Sequence, residues 1–173
     1  MKISIIIPAH NESTSIIDTI QQLEQNMNLE HEVVVVNDHS SDNTEQIVTE
    51  LSKKNSKVRL EKNNQEAGFS NALKAGFNAS IGDLVVPVMA DLCDDPQTIN
   101  KMYDKIKDGF DIVCGSRYMR GGKKIGGPKL KSFFSHFVGL SLHYLIGIPT
   151  YDIANSFKMY KREVIRSITT EAE

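Results

Sequence analysis

The sequence of 173 residues has only two cysteines, Cys93 and Cys114, and they do not form a CxxC pair. A disulfide framework and a thiolate zinc site are therefore excluded as organising features, and both thiols read as reduced in a cytoplasmic chain. Charge of one sign is also lacking. Twenty Lys and Arg (20) stand against 22 Asp and Glu, giving a net charge of −2. A dedicated nucleic-acid binder carries a clustered basic surplus, so no nucleic-acid partner is expected. No uninterrupted apolar run reaches the roughly 18 residues of a membrane span. The nearest stretch, Phe133 to Pro149, is broken by His136, Ser141 and His143 and reads as a buried or interfacial helix. The apolar run Ile3 to Ile7 is too short for a secretory leader and has no small-residue cleavage site behind it. Two phosphate-binding signatures are missing as well. No G-x-G-x-x-G follows the first apolar run, and no G-x-x-x-x-G-K-[ST] occurs anywhere.

What remains is a strand–helix alternation of the α/β kind, in one domain and without a linker or a shift in composition. Continuous apolar runs at Ile3–Ile7, Glu32–Val36, Val58–Glu61, Leu84–Met89 and Asp111–Cys114 predict strands buried on both faces of a mostly parallel sheet. Between them, Ile16, Ile17, Ile20, Leu23 and Met27 line one face of a helix over 13–27 with Ser13 as its cap. Further helices are predicted from Asp42 through Leu51, from Gly68 to Ser80, and from Pro96 through Ile106. After Cys114 the rhythm breaks. Gly115 to Pro128 is rich in Gly, Lys and Arg and reads as a mobile basic loop. An apolar helix from Lys129, a strand near Ser156–Tyr160 and a helix opening at Lys161 complete the pattern, and the absence of a cap near Glu173 suggests that the natural protein continues.

Open α/β sheets bind ligands beyond the carboxyl ends of their strands, and the polar residues fall there. Asn11 and Glu12 follow the first strand, Asn37 and Asp38 the second, Asp91 the fourth, and Ser116 with Arg117 the fifth. Each alone is an ordinary loop residue; Asp42 reads as a helix cap and Asn11 as a turn former. Four loaded strand ends together point to a site. With the glycine-rich routes to phosphate missing, a diphosphate is most simply held through a divalent cation on carboxylates, for which Mg²⁺ and Mn²⁺ suit oxygen ligands. Asp91, Asp94 and Asp95 offer them, Asp91 first, while Asp95 before Pro96 serves equally well as an N-cap.

These pieces, in this order, resemble the family-two inverting glycosyltransferases of the GT-A fold, and among them the polyprenyl-phosphate sugar transferases. The matching stretches are Ile5-Ile6-Ile7-Pro8-Ala9-His10-Asn11-Glu12, Val35-Val36-Asn37-Asp38, Gly68 through Gly76, Ala90-Asp91-Leu92 with Asp94-Asp95-Pro96, Gly115-Ser116-Arg117, Lys131 to Ser135, Asp152, and Phe157 to Glu163. The resemblance covers nearly the whole chain. It implies a transferase that uses a nucleotide diphosphate sugar of the GDP-mannose or UDP-glucose type, a Mg²⁺ or Mn²⁺ ion and a polyprenyl phosphate acceptor at the cytoplasmic membrane face. It further implies that residues 1–115 bind the nucleotide sugar and 116–173 face the acceptor. Pro8, Ala9, Asn11, Glu12, Asp38 and Gly68 then line the nucleotide pocket. Asp91 matches the last Asp of the D-x-D metal motif, with Asp94 as a second ligand. Ser116, Arg117, Lys131, Asp152 and Lys158 fall at the acceptor phosphate, Asp91 and Arg117 being the catalytic pair.

Several positions depart from the family pattern. Met89 stands where the first Asp of D-x-D is expected, and a thioether is a poor ligand for a hard cation. Asn37 replaces one Asp, Ser156 replaces a Gly, and Lys131 and Lys158 replace arginines, keeping charge but not the bidentate fork. Two other readings stay open: transfer to a saccharide hydroxyl, and a degenerate domain that binds nucleotide without turnover.

Overall fold

The computed structural model describes residues 1–119, 121–122 and 129–168, and of 129–133 and 135 the backbone alone. The side chain of Lys131 and the basic stretch 123–128 of the expected mobile loop thus lie outside the described residues, as does the chain end 169–173.

Six strands, β1 (Ile3–Ala9), β2 (His31–Asn37), β3 (Val58–Lys62), β4 (Leu84–Pro87), β5 (Ile112–Cys114) and β6 (Lys158–Lys161), form one sheet in the order β3-β2-β1-β4-β6-β5. β1 pairs in parallel with β2 and with β4, and β2 with β3; β6 runs antiparallel between β4 and β5. Six helices complete the fold: α1 (Ile16–Asn26), α2 (Thr44–Lys54), α3 (Phe69–Ala79), α4 (Pro96–Lys107), α5 (Lys129–Ile146) and α6 (Arg162–Ser167). The expected single α/β domain with a mostly parallel sheet is what the chain forms.

Alternation along the buried strands explains the two layers. Ile3, Ile5, Ile7, Val33 and Val35 join Ile16, Leu23, Val48, Ile99 and Met102 in the larger core beneath α1, α2 and α4. Ile6, Val34, Val36 and Val85 face the opposite way, against Ala72 of α3 and Ile165 of α6. α3 approaches this second face closely. A Cβ on Gly76 would lie 2.2 Å from Ile6 Cγ2, so only glycine lets the helix sit there.

Element ends differ from the sequence expectation. α1 begins at Ile16, because the N–H groups of Ser15 and Ile16 both bond to the carbonyl of Glu12 in a preceding turn, and Ser15 rather than Ser13 is the N-cap. β4 stops at Pro87, although Val88 still donates to the Ile6 carbonyl. Asn43 holds the N-cap position of α2 without a side-chain cap bond, the expected capping contact coming from Asp42, whose Oδ1 accepts from the Thr44 N–H at 3.0 Å, and α3 begins after Gly68. The last strand is shifted to Lys158–Lys161, which makes Lys161 the N-cap of α6.

At the amino edge of the sheet a buried ion network ties strands to loops. Glu32, 3% exposed, accepts from Ser4 Oγ, from the Ile81 N–H and from Arg59 Nε at 2.5, 2.8 and 3.1 Å. Burial works against the Glu32 carboxylate, but these donors outweigh it and hold its pKa below the ordinary range. Arg59 and Arg162 also donate to the carbonyls of Ala79 and Ser80, both at 2.6 Å. The edge opposite the strand carboxyl ends is thereby closed, and the ligand-facing edge is the other one.

Candidate active site

The carboxyl ends of β1, β2 and β4 meet where the strand order turns back on itself, between β1 and β4. Asp38, just past β2, is buried and fully engaged. Its Oδ1 accepts from Asn63 Nδ2 at 2.6 Å, its Oδ2 from the Gly68 N–H at 2.9 Å, and its own N–H donates to the Ala9 carbonyl at 2.8 Å. Three of the residues expected at the nucleotide pocket, Ala9, Asp38 and Gly68, are thus one connected unit. Pro8 belongs to it through β1, paired with Val36. Asn63, which the sequence reading missed, is a fifth member. Its signal was its place directly after the third strand, the same position that singled out Asp38. His10, also missed, donates from Nδ1 to the Asp38 carbonyl at 2.6 Å.

Asn11 and Glu12 turn elsewhere. Asn11 adopts φ 59°, a left-handed conformation that asparagine tolerates, and its Oδ1 accepts from the N–H groups of Ser41 and Asp42 at 2.8 and 3.3 Å. The Glu12 N–H donates to Thr44 Oγ1 at 2.8 Å and its carboxylate accepts from Ser15 Oγ at 2.5 Å. Both residues therefore bind the β1–α1 loop to the start of α2. Asp42 reinforces this junction by accepting from the N–H groups of Ser13 and Thr44. The Thr44 hydroxyl bond, with those from Ser13 and the Thr44 N–H, drives its pKa well below the usual carboxylate range.

Beyond β4, Asp91 is exposed, and its Oδ1 accepts from the Cys93 N–H at 3.1 Å. Asp94 Oδ2 accepts from the Met89 N–H at 2.9 Å. Burial raises the Asp94 pKa and the Asp91 charge adds to the rise, against the pull of the Met89 N–H and of Arg117. Desolvation, with Asp91 and Asp94 beside it, pushes the Cys93 thiol up to about 12, so it stays protonated at neutral pH. Asp95 is settled as the N-cap of α4: its oxygens accept from the Gln97 N–H at 3.1 Å and Thr98 Oγ1 at 3.0 Å. Met89 points its sulfur to Ser156 Oγ, 4.0 Å away, so two of the departures from the family pattern touch each other. Among the described residues no three His, Cys, Asp or Glu side chains gather as a ready-made metal cage. A carboxylate has about four lone-pair sites, so Asp91 and Asp94, each bonded to one backbone N–H, retain oxygen capacity. That donor set fits a hard cation held by one or two carboxylates and completed by substrate phosphate.

Beyond β5, Arg117 and Asp152 are joined by three bonds. The Arg117 Nε and N–H reach Asp152 Oδ2 at 2.8 and 3.0 Å, and Nη2 reaches Oδ1 at 2.7 Å. Asp152 is 1% exposed. Burial opposes its ionisation, yet the bonds from Arg117 prevail and hold its pKa below the usual range. Lys158 lies beside Asp152 and donates from Nζ to the Ile153 carbonyl at 3.0 Å, while Ser116 Oγ accepts from the Tyr118 N–H at 3.2 Å. Arg117 also acts electrostatically on Asp94, so the loops beyond β4 and β5 lie within reach of each other.

The raised Asp94 pKa carries a consequence for stability. An unfolded Asp ionises near pH ~4. A carboxyl whose folded pKa is higher contributes stability below that value and loses it as pH rises through the folded value. Asp94→Asn, whose amide oxygen can still accept from Met89, is therefore expected to raise the melting temperature at pH 7 by about 2–4 °C, with a smaller gain at pH 4. Calorimetric melting at the two pH values checks this; a loss of stability at both would refute it.

The sequence profile of glycosyl transferase family 2 matches residues 4–169. The chain belongs to that family. Curated relatives of this family-2 chain include the dolichol-phosphate mannosyltransferase of Pyrococcus furiosus, 34% identical over 97% of this chain and 48% of the relative. Another is the dolichyl-phosphate beta-glucosyltransferase of Trichomonas vaginalis, 33% identical over 93% of this chain and 52% of the relative. The chain spans about half the length of these relatives. Among solved structures, mannosyl-3-phosphoglycerate synthase from Rubrobacter xylanophilus superposes with a TM-score of 0.75 at 18% identity, over 97% of this chain and 55% of that one. Glucosyl-3-phosphoglycerate synthase from Mycobacterium tuberculosis, in complex with Mn²⁺, UDP-glucose and phosphoglyceric acid, gives 0.72 at 20% identity, over 96% and 59%. The fold of the family-2 chain is accordingly the GT-A fold.

Proposed function

We propose that the chain is the catalytic part of an inverting hexosyltransferase that moves a sugar from a nucleotide diphosphate, of the GDP-mannose or UDP-glucose type, to polyprenyl phosphate. The observation that carries this reading is the fate of Asp152. It is the only acidic residue between Gly115 and Phe157, and it is buried against Arg117. Transfer to a sugar hydroxyl calls for a general base on the acceptor side. An ionised phosphate needs none, and here the acceptor side presents a guanidinium instead. The dolichol-phosphate relatives support the same acceptor.

In this mechanism residues 1–115 hold the donor and 116–173 the acceptor. The unit of Pro8, Ala9, Asp38 and Gly68 binds base and ribose, with Asn11 and Glu12 fixing the loop that borders it. Asp91 and Asp94 would hold Mg²⁺ or Mn²⁺, which supplies charge neutralisation at the departing diphosphate when bound. Two of the five guanidinium N–H donors of Arg117 are committed to Asp152. The others, with Ser116, Lys131 and Lys158, hold the acceptor phosphate and orient one of its oxygens to the anomeric carbon. That oxygen forms the new C–O bond from the face opposite the diphosphate. The old bond breaks with its electron pair going to the nucleoside diphosphate, which leaves as an anion, and the configuration inverts.

Among the described residues no helix is long and apolar enough to cross a membrane. α5 nevertheless leaves Phe134, Phe137, Val138 and Leu145 on one exposed stripe, Leu145 at 83%, and no charged residue occurs from Phe134 to Ile146. That stripe, preceded in sequence by the basic loop, suits an element lying on an anionic membrane face where the acceptor resides.

Titration calorimetry with GDP and UDP, each with Mn²⁺ and with chelator, tests the donor site. One nucleotide is expected to bind at least tenfold more tightly with the metal, and incubation of its mannose or glucose conjugate with a short polyprenyl phosphate should yield the glycolipid. Folded protein that binds neither nucleotide would overturn the reading. The degenerate alternative is favoured by one observation, the Met89 thioether in the metal motif. Met89→Asp decides it: a large gain in transfer supports degeneracy, and no gain shows that Asp91 and Asp94 suffice.

A further inference from the structure

We propose that His136 is a further acceptor-binding residue, with Nδ1 donating a hydrogen bond to the phosphate monoester held by Ser116 and Arg117. The proposal rests on the reading of the acceptor given above. It starts from a deficit. His136 Nδ1 is shielded from solvent and has no hydrogen-bond partner, one of two such side-chain atoms among the described residues. The other, Asn100 Oδ1, belongs to a side chain already anchored through Nδ2 to the Asn26 carbonyl at 3.1 Å. A buried polar atom left unpaired is costly, and native structures seldom keep one without a use for it.

Two described polar side chains further along α5 have partners. Ser141 Oγ bonds back to the Phe137 carbonyl at 2.9 Å, and His143 Nδ1 donates to the Ile148 carbonyl at 2.7 Å while its ring lies 4.3 Å from that of Tyr151. His136 instead lies with its ring 4.5 Å from that of Tyr118, and the Arg117 guanidinium carbon is 5.5 Å from the same Tyr118 ring. Tyr118 therefore connects the unpartnered imidazole to the guanidinium assigned to the phosphate. Stacking alone would be served as well by phenylalanine; the imidazole adds two ring nitrogens, and Nδ1 is the one left without a partner.

The helix is held in register for this role. A Cβ on Gly139, one turn after His136, would lie 2.1 Å from the Tyr151 carbonyl oxygen, so α5 packs directly on the peptide that leads into Asp152. The segment that locks Arg117 thus also fixes the helix that carries His136. Because that nitrogen is shielded from solvent, the phosphate reaches it only as neighbouring side chains give way, and with its proton on Nδ1 the ring then contributes a donor.

Three substitutions separate the donor from the ring. His136→Phe keeps the stack, His136→Asn sets an amide nitrogen near the Nδ1 position, and His136→Gln sets one near Nε2. In transfer assays with a short polyprenyl phosphate, the acceptor KM is expected to rise at least tenfold for His136→Phe and His136→Gln and less than threefold for His136→Asn. Nucleotide affinity should stay unchanged in all three. A wild-type acceptor KM in His136→Phe would overturn the proposal. Histidine-labelled NMR supplies a readout independent of transfer. The His136 ring signals should shift with short polyprenyl phosphate and with inorganic phosphate, but not with GDP or UDP. A shift with inorganic phosphate only would overturn the acceptor role, and no shift with either would overturn the site. A shift with polyprenyl phosphate in a protein that transfers no sugar would overturn the transferase reading and support the His136 contact.

Discussion

Replacing Asp91 with Asn is expected to lower sugar transfer on the order of 10³-fold, the scale seen when preorganised stabilisation of a developing charge is removed. The fold should be untouched. Asp91 is exposed, and its one backbone bond, from the Cys93 N–H, can be accepted equally by an asparagine oxygen. The melting temperature should therefore stay within about 2 °C of wild type, while the metal-dependent part of nucleotide binding disappears. This pattern separates a site residue from a structural one. Its counterpart across the turn, Asp94, is bonded to the Met89 N–H and is expected to gain stability on substitution. If Asp91→Asn keeps activity within tenfold, Asp91 is not the principal carboxylate of the donor site.

The second large effect is expected at Asp152. Removing one partner of a fully buried ion pair typically costs about 3–5 kcal/mol. The Arg117 side chain keeps 33% exposure and can be partly rehydrated, so about 2–3 kcal/mol is expected for Asp152→Ala. For a chain of this length that is a drop of roughly 5–10 °C. The pH dependence has a definite sign. The folded carboxyl has a pKa below its unfolded value, so its stabilisation is complete above about pH 4 and is lost as pH falls through the folded value. The Ala variant should therefore show a shallower acid limb than wild type in thermal melts from pH 6 down to pH 2. Transfer should fall as well, through the acceptor KM, because Arg117 loses all three of its bonds to Asp152. An unchanged acid limb would mean that the pair contributes nothing to the folded state.

Much of this was legible in the sequence, and the physical reason is locality. The strands announce themselves as short apolar runs, and Asp38, Asp91 and Arg117 are marked by following them. Helix starts were less legible. Ser13 and Ser15 are equally good caps on paper, and the choice between them was made by the Glu12 carbonyl, which accepts from both Ser15 and Ile16. Asp95 could be read as ligand or cap until Gln97 and Thr98 were seen to occupy its oxygens. The least legible feature was the Arg117–Asp152 pair. Each was assigned to phosphate, but no periodicity links residues 35 apart in sequence. His136 escaped for the opposite reason: as a lone histidine in an apolar helix it looked like an interruption, and only its missing partner sets it apart.

The antiparallel strand β6 has an architectural consequence. It returns the chain to the sheet between β4 and β5, so everything from Gly115 to Phe157 is an excursion whose two ends are stapled side by side by the β5–β6 pairing. The cost of closing such a loop grows only slowly with its length, each doubling adding about 0.6 kcal/mol. The excursion can therefore be lengthened, shortened or exchanged with little disturbance to β1, β2 and β4. In this chain the parallel strands carry the residues proposed for the donor, and the excursion carries Arg117, α5 and Asp152, proposed for the acceptor. Recombination at that staple would give the fold a new acceptor while leaving the donor machinery in place.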